Sequence, residues 1–311
     1  MKTSLVDLCI RWEEKQPLPE ATAGTASAIF GQDLLVAGGT NWNGDSKRWL
    51  DRVNLYDFES GRWRDGPKLP KAFAYGCFAV TQAGFEIIGG CDSTGGYRDS
   101  WVLQPGGSAW HRSENAPQNF VFAAAENWSR HLHVFGGCAS GRDLASASGV
   151  VWIRDTNRVW HQVSVLPRRD VLLSAHACVS DKVYFFGGYS ISPGGDVLNH
   201  DDAFSFDCTT HEWTSLQKLP AAAHGSSAVA LDNRWIVILG GYGTDFLKTV
   251  LIYDTAHDRY EEETPLPIGL LDTHFSLYKD VIYGAGGEDR MRGRTSKFLA
   301  GHLDGVVSSR S

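Results

Sequence analysis

Short apolar runs ending in a glycine pair recur along the chain, at Gly38-Gly39, Gly89-Gly90, Gly136-Gly137, Gly187-Gly188, Gly240-Gly241 and Gly286-Gly287. The spacings are 51, 47, 51, 53 and 46 residues, which sets the period of an internal repeat. Runs such as Leu34-Leu-Val-Ala, Val183-Tyr-Phe-Phe and Trp235-Ile-Val-Ile-Leu are rich in β-branched and aromatic residues, so each predicts a strand. A polar loop of variable length follows each pair. A second strand then ends in an aromatic-Asp step, as in Tyr56-Asp57, Phe206-Asp207 and Tyr253-Asp254. Five or six residues on stands a large aromatic: Trp63, Trp110, Trp160, Trp213 or Tyr260. Most repeats close with Leu-Pro, at Leu69, Leu166, Leu219 and Leu266.

Each repeat therefore predicts four strands. The glycines suit tight turns and close packing, and the periodic aromatics fill the space between neighbouring sheets. The last repeat, from Asp272 to about Leu303, predicts only three strands. Ile10-Arg-Trp-Glu13, followed by Leu18-Pro19, supplies the fourth, with Trp12 in the aromatic position. The N-terminal strand is thus expected to complete the last sheet and close a ring, which removes exposed sheet edges. This pattern resembles the Kelch repeat. The resemblance implies an all-β fold, a six-bladed β-propeller over residues 1–303, with 304–311 as a loose tail.

Composition agrees with strands and turns. The 311 residues include 34 Gly and 36 aromatics, which argues against helical bundles. A net charge of −7 gives no electrostatic support to nucleic-acid binding. No apolar run reaches about 18 residues, so no membrane span is expected. The N-terminal stretch is broken by Asp7 and Arg11 and does not read as an export signal, so a cytoplasmic location is expected. The six cysteines have no metal-ligand spacing and read as thiols. The eleven histidines are scattered, which sets aside a copper site of the galactose oxidase type. No Gly-x-Ser-x-Gly elbow is present. No metal and no cofactor are expected.

In a four-stranded blade, the loops after the glycine pairs and those leading into the next inner strand share one face. That face is the natural home of a site. Its loops collect arginines, carboxylates, aromatics and histidines, a set that suits a small anionic or polyhydroxylated ligand. The sharpest segment is Gly286-Gly-Glu-Asp-Arg-Met-Arg-Gly-Arg-Thr295, with Glu288 and Arg294 at the two ends of one tight loop. Chemistry alone allows two roles for that pair, a proton-transfer base with an anion clamp or a loop-bracing ion pair.

The segment resembles the Gly-Gly-Glu…Arg-Thr loop of the sialic acid mutarotases (N-acetylneuraminate epimerases), which are six-bladed Kelch propellers. A looser similarity runs through Gly38-Gly-Thr-Asn-Trp42 and Lys47-Arg-Trp49. The resemblance implies a sugar mutarotase, an isomerase acting at the anomeric centre of a sialic-acid-like or other reducing sugar. Glu288 and Arg294 would then be catalytic, with Arg294 holding the sugar carboxylate. Asn41, Arg48, Arg168, Tyr242 and His274 are candidate substrate contacts. Two alternatives stand beside this. One is another carbohydrate reaction on the same face. The other is a non-catalytic Kelch propeller binding a protein or peptide. Such modules usually come joined to other domains, and the chain as read carries the repeats alone, so the sugar reading is preferred.

Overall fold

The computed structural model describes residues 8–304. Six four-stranded antiparallel sheets follow one another around a central channel. The first contains Ala26–Phe30, Asp33–Ala37, Val53–Asp57 and Arg62–Asp65, ordered from the channel outward. The same order repeats in blades 2 to 5. Blade 6 takes three strands from the C-terminal end, and Cys9–Glu14 lies outermost against Phe298–Asp304. The register pairs Ile10 with Leu303 and Trp12 with Gly301, so the N-terminal strand closes the ring as expected. Asp304, expected in the tail, is still part of this strand: it pairs with Cys9 and meets Arg11 at 3.4 Å. The remainder of the expected tail, 305–311, lies outside the described residues.

Two devices recur at most of the junctions between blades. The second glycine of a pair donates its N–H to the loop leading into the following blade. Gly39 donates to Phe73 (2.7 Å), Gly90 to Phe120 (2.7 Å), Gly188 to Ala223 (2.8 Å) and Gly241 to Leu270 (2.7 Å). Gly287 donates to Thr22 (2.8 Å) and so spans the closure. The residue type follows from space and backbone shape. A Cβ on Gly38 would stand 2.3 Å from the Phe73 carbonyl oxygen, and both Gly38 and Gly39 have positive φ.

The second device is the periodic aromatic. Trp63 donates to the Gln16 carbonyl, Trp110 to Pro67, Tyr260 to Gln217 and Trp12 to Thr264. Each acceptor lies two residues before the leucine of the preceding Leu-Pro. The rings fill the cores between neighbouring sheets. Trp110, for example, packs with Leu69, Phe73 and Phe85, joining blades 1 and 2. Trp110→Phe keeps most of the apolar area but leaves the Pro67 carbonyl without this donor. We expect a loss of about 1–2 kcal/mol in urea unfolding.

The inner strands of all six blades line a channel of about 380 Å³. Its mouth is a ring of six residues with positive φ: Gly24, Tyr75, Phe122, Leu173, Gly225 and Asp272. Backbone hydrogen bonds link successive members: Tyr75 to Gly24, Phe122 to Tyr75, Gly225 to Leu173, and Asp272 to Gly225, at 2.7–3.0 Å. Six isolated bridges then pair each lead-in loop with the residue after its glycine pair, among them Ala23 with Thr40, Leu172 with Tyr189 and Leu271 with Glu288. Both sets of loops therefore share the face around this mouth.

Candidate functional site

The blade 6 loop folds into a tight hairpin of Glu288–Arg290 and Gly293–Arg294, in which Glu288 and Arg294 are cross-strand partners. Their side chains meet at 2.6 Å, with Arg294 only 4% exposed and Glu288 17%. The rest of the guanidinium is engaged by other blades. Nε and Nη2 donate to Thr40 Oγ1 at 3.2 and 3.1 Å, and Nη2 also donates to the Tyr75 hydroxyl at 3.1 Å. Arg294 therefore ties blade 6 to blades 1 and 2. It offers almost no surface to a ligand, and its direct effect is to hold Glu288 in place and charged. Burial pushes the Glu288 carboxyl above its ordinary value, and the Arg294 cation opposes that shift.

Two further charged groups stand with this pair. Asp272, in the mouth ring, is 8% exposed and lines the channel. Burial first, then the Glu288 charge, push its carboxyl up to about 7, against the pull of Arg294 and an N–H from Gly24. Lys47, half-buried on the blade 1 hairpin, lies over the rings of Trp49 and Tyr75 at 4.9 and 4.6 Å. No carboxylate lies within ion-pair distance of it among the described residues. Burial lowers the Lys47 amine, and the Arg294 charge adds to that shift.

Aromatic rings continue around the face. Trp49, Tyr75 and Phe122 follow one another at 6.0 and 4.9 Å between centroids. Tyr189, His224, Tyr242 and Phe246 do so at 4.9, 5.6 and 5.1 Å. The face thus combines a charged corner at the junction of blades 6 and 1 with an aromatic wall, a lining suited to one small polar ligand.

The sequence-based candidates divide. Asn41 and Arg48 are cross-strand partners on the blade 1 hairpin and share Glu20, at 3.4 and 3.2 Å. That hairpin packs against the one bearing Arg294. Tyr242 stands in the aromatic wall. Arg168 is bound to Asp202 at 2.5 Å, in a network completed by Lys218, so its charge is already matched. His274 points into the channel, edge-on to Phe78 at 4.8 Å. Burial holds its imidazole down at about 4, so it is neutral at physiological pH. The sequence reading places Lys47 and Asp272 in loops of this face without picking them as contacts, and it passes over Tyr75; the three come from different repeats. Asp272 carries a signal in hindsight, because it is the one acid at a position otherwise held by Gly, Tyr, Phe or Leu.

Below the mouth, Glu126 and His176 also line the channel. Glu126 has no cation within ion-pair distance among the described residues, and burial pushes it up to about 7. Its folded-state value lies above the unfolded one, so this group costs stability as pH rises from about 4.5 through 7. Glu126→Gln is expected to stabilise the fold at pH 8 by up to about 3 kcal/mol and to change little at pH 4.5. Urea midpoints at the two pH values check this. Among the described residues, no three His, Cys, Asp or Glu side chains stand together as a metal site. All six cysteines are free, and no helix among the described residues is long and apolar enough to cross a membrane.

The fold and its repeated ties define a six-bladed propeller of Kelch repeats. The KLHDC2/KLHL20/DRC7 Kelch-repeats domain matches residues 114–287, and the Kelch motif matches residues 21–70. The chain belongs to the Kelch-repeat family. It is 25% identical over 272 residues to Kelch-like protein 25 of Rattus norvegicus, covering 84% of this chain and 44% of that protein. It is 23% identical to Kelch-like protein terF of Aspergillus terreus, covering 88% and 51%. The chain thus spans about half the length of these relatives. Over a shorter stretch of 120 residues it is 30% identical to N-acetylneuraminate epimerase of Brucella suis, covering 31% of this chain and 30% of that protein.

Proposed function

We propose that the protein moves protons at the anomeric centre of a reducing sugar, as a mutarotase. The observation that carries this reading is the Glu288 carboxylate. It is largely buried and ion-paired at 2.6 Å, beside a second carboxyl, Asp272, at the channel mouth. Opening a cyclic hemiacetal requires removal of the anomeric hydroxyl proton, and Glu288 is the base for that step. Arg294 favours its ionised form and holds it in place. Lys47 is the unmatched cation available to an acidic sugar, and the rings of Trp49 and Tyr75 offer flat apolar surfaces to a sugar ring. The partial relationship to the epimerase of Brucella suis is consistent with this chemistry.

A second reading has its own support. The relatives that span most of this chain are Kelch-like proteins, and these weigh toward a protein or peptide partner on the same face. The exposed Val197, Leu198 and Met291 at the hairpin tips of that face would serve such a contact. NMR of anomer exchange separates the two. Freshly dissolved single-anomer sugars, N-acetylneuraminate first and neutral aldoses next, are followed with and without protein. The mutarotase reading expects faster equilibration. No acceleration across the panel overturns it and leaves the partner reading.

A further inference from the structure

We propose that Asp272 is a second catalytic carboxyl, the acid that protonates the ring oxygen while Glu288 takes the anomeric proton. This rests on the sugar reading above and assigns its missing half. Ring opening needs both transfers. Glu288 accepts the hydroxyl proton, the electron pair of that O–H bond forms the carbonyl, and the bond from the anomeric carbon to the ring oxygen breaks. The pair released to the ring oxygen takes the proton from Asp272. After rotation about the carbon–carbon bond that joins the carbonyl to the rest of the opened ring, the reverse transfers close the ring on the other face and restore both carboxyls.

Three features of Asp272 point to chemistry rather than bracing. It is a buried carboxyl that lines the channel mouth, yet it has no cation within ion-pair distance among the described residues. Burying an unpaired carboxylate is costly, so such a group survives by holding its proton. It is also the one acid of the mouth ring, at a left-handed position (φ +57°) that Gly24, Tyr75, Phe122, Leu173 and Gly225 fill in the other blades. Finally, it sits beside its proposed partner. Leu271 and Glu288 exchange both backbone hydrogen bonds, at 2.9 and 2.8 Å, which fixes the Glu288 strand against the loop carrying Asp272.

The environments separate the two carboxyls in the required sense. Glu288 has the Arg294 cation against it at 2.6 Å, which favours its ionised form against the effect of burial. Asp272 keeps a proton until pH reaches about 7. The other groups acting on it are Lys47 from blade 1, Tyr75 from blade 2 and Tyr189 from blade 4. None of these tyrosines is charged near neutrality, since burial raises both phenols.

Asp272→Asn is the decisive variant. Asparagine tolerates left-handed φ and keeps an acceptor for the Gly24 N–H, but carries no acidic proton. Anomer exchange of N-acetylneuraminate and of a neutral aldose is measured from pH 5 to 9 for the wild type, Asp272→Asn and Glu288→Gln, with urea midpoints for each. Asp272→Gly, the residue found at Gly24 and Gly225, guards against a folding artefact. The expected result is a folded Asp272→Asn protein slowed by about 10²-fold or more. Its remaining rate should no longer fall above pH 7. Wild-type rate and an unchanged alkaline limb in a folded Asp272→Asn protein would overturn this inference alone. No acceleration by the wild type on any sugar overturns the mutarotase reading and this inference with it.

Discussion

Replacing Glu288 with Gln is expected to slow anomer exchange by about 10²–10⁴-fold while the propeller stays folded. The amide keeps the shape of the carboxylate and an oxygen for Arg294, but it cannot take a proton. Some loss of stability accompanies the change, because Arg294 is 4% exposed and loses its counter-charge. Urea unfolding measures that cost separately, so a slow but folded enzyme is distinguishable from a damaged one. The variant has a second, independent signature. The negative charge of Glu288 is one of the two influences that raise Asp272. Without it, the Asp272 carboxyl should release its proton at lower pH, which ¹³C NMR of that carboxyl reads directly. An unchanged exchange rate in Glu288→Gln would remove Glu288 from the mechanism.

The fold was legible because its ties are written locally and repeated. Five of the six glycine pairs make the same hydrogen bond to the next blade, four of the periodic aromatics donate to the same carbonyl position, and Trp12 falls into that series at the closure. The Glu288–Arg294 pairing was legible for the same reason, since a tight hairpin brings its ends together. The rest of the site was not. Thr40 and Lys47 of blade 1, Tyr75 of blade 2 and Asp272 of blade 6 belong to three different repeats and meet only because the ring bends them toward one mouth. Arg168 looked available because its partner, Asp202, is 34 residues away, across a loop of variable length. His274 stood near the right face in sequence, yet it lies just before the inner strand Phe275–Tyr278 and lines the channel.

A larger effect on stability is expected at a pair that resembles no motif. Glu86 lies within the apolar strand Gly84–Ile88 of blade 2 and is completely buried. Its two oxygens accept from Arg154 of blade 3 at 2.5 and 2.7 Å, and the guanidinium lies near the Trp160 ring. The bidentate geometry compensates for removing both charges from water. Arg154→Met breaks that balance, leaving a buried carboxylate between two blades with no cation. We expect a loss of about 3–5 kcal/mol at neutral pH. The double variant Glu86→Leu with Arg154→Met should recover most of the stability, since apolar packing often replaces a buried ion pair at little net cost. If the double variant is no more stable than Arg154→Met, the damage comes from lost packing against Trp160 rather than from the stranded charge. Urea unfolding of the wild type, Arg154→Met and the double variant separates the two causes. The pair joins blades 2 and 3 without touching the mouth residues. Exchange rates per folded molecule should therefore stay at the wild-type value, whereas Glu288→Gln lowers the rate with a far smaller effect on unfolding.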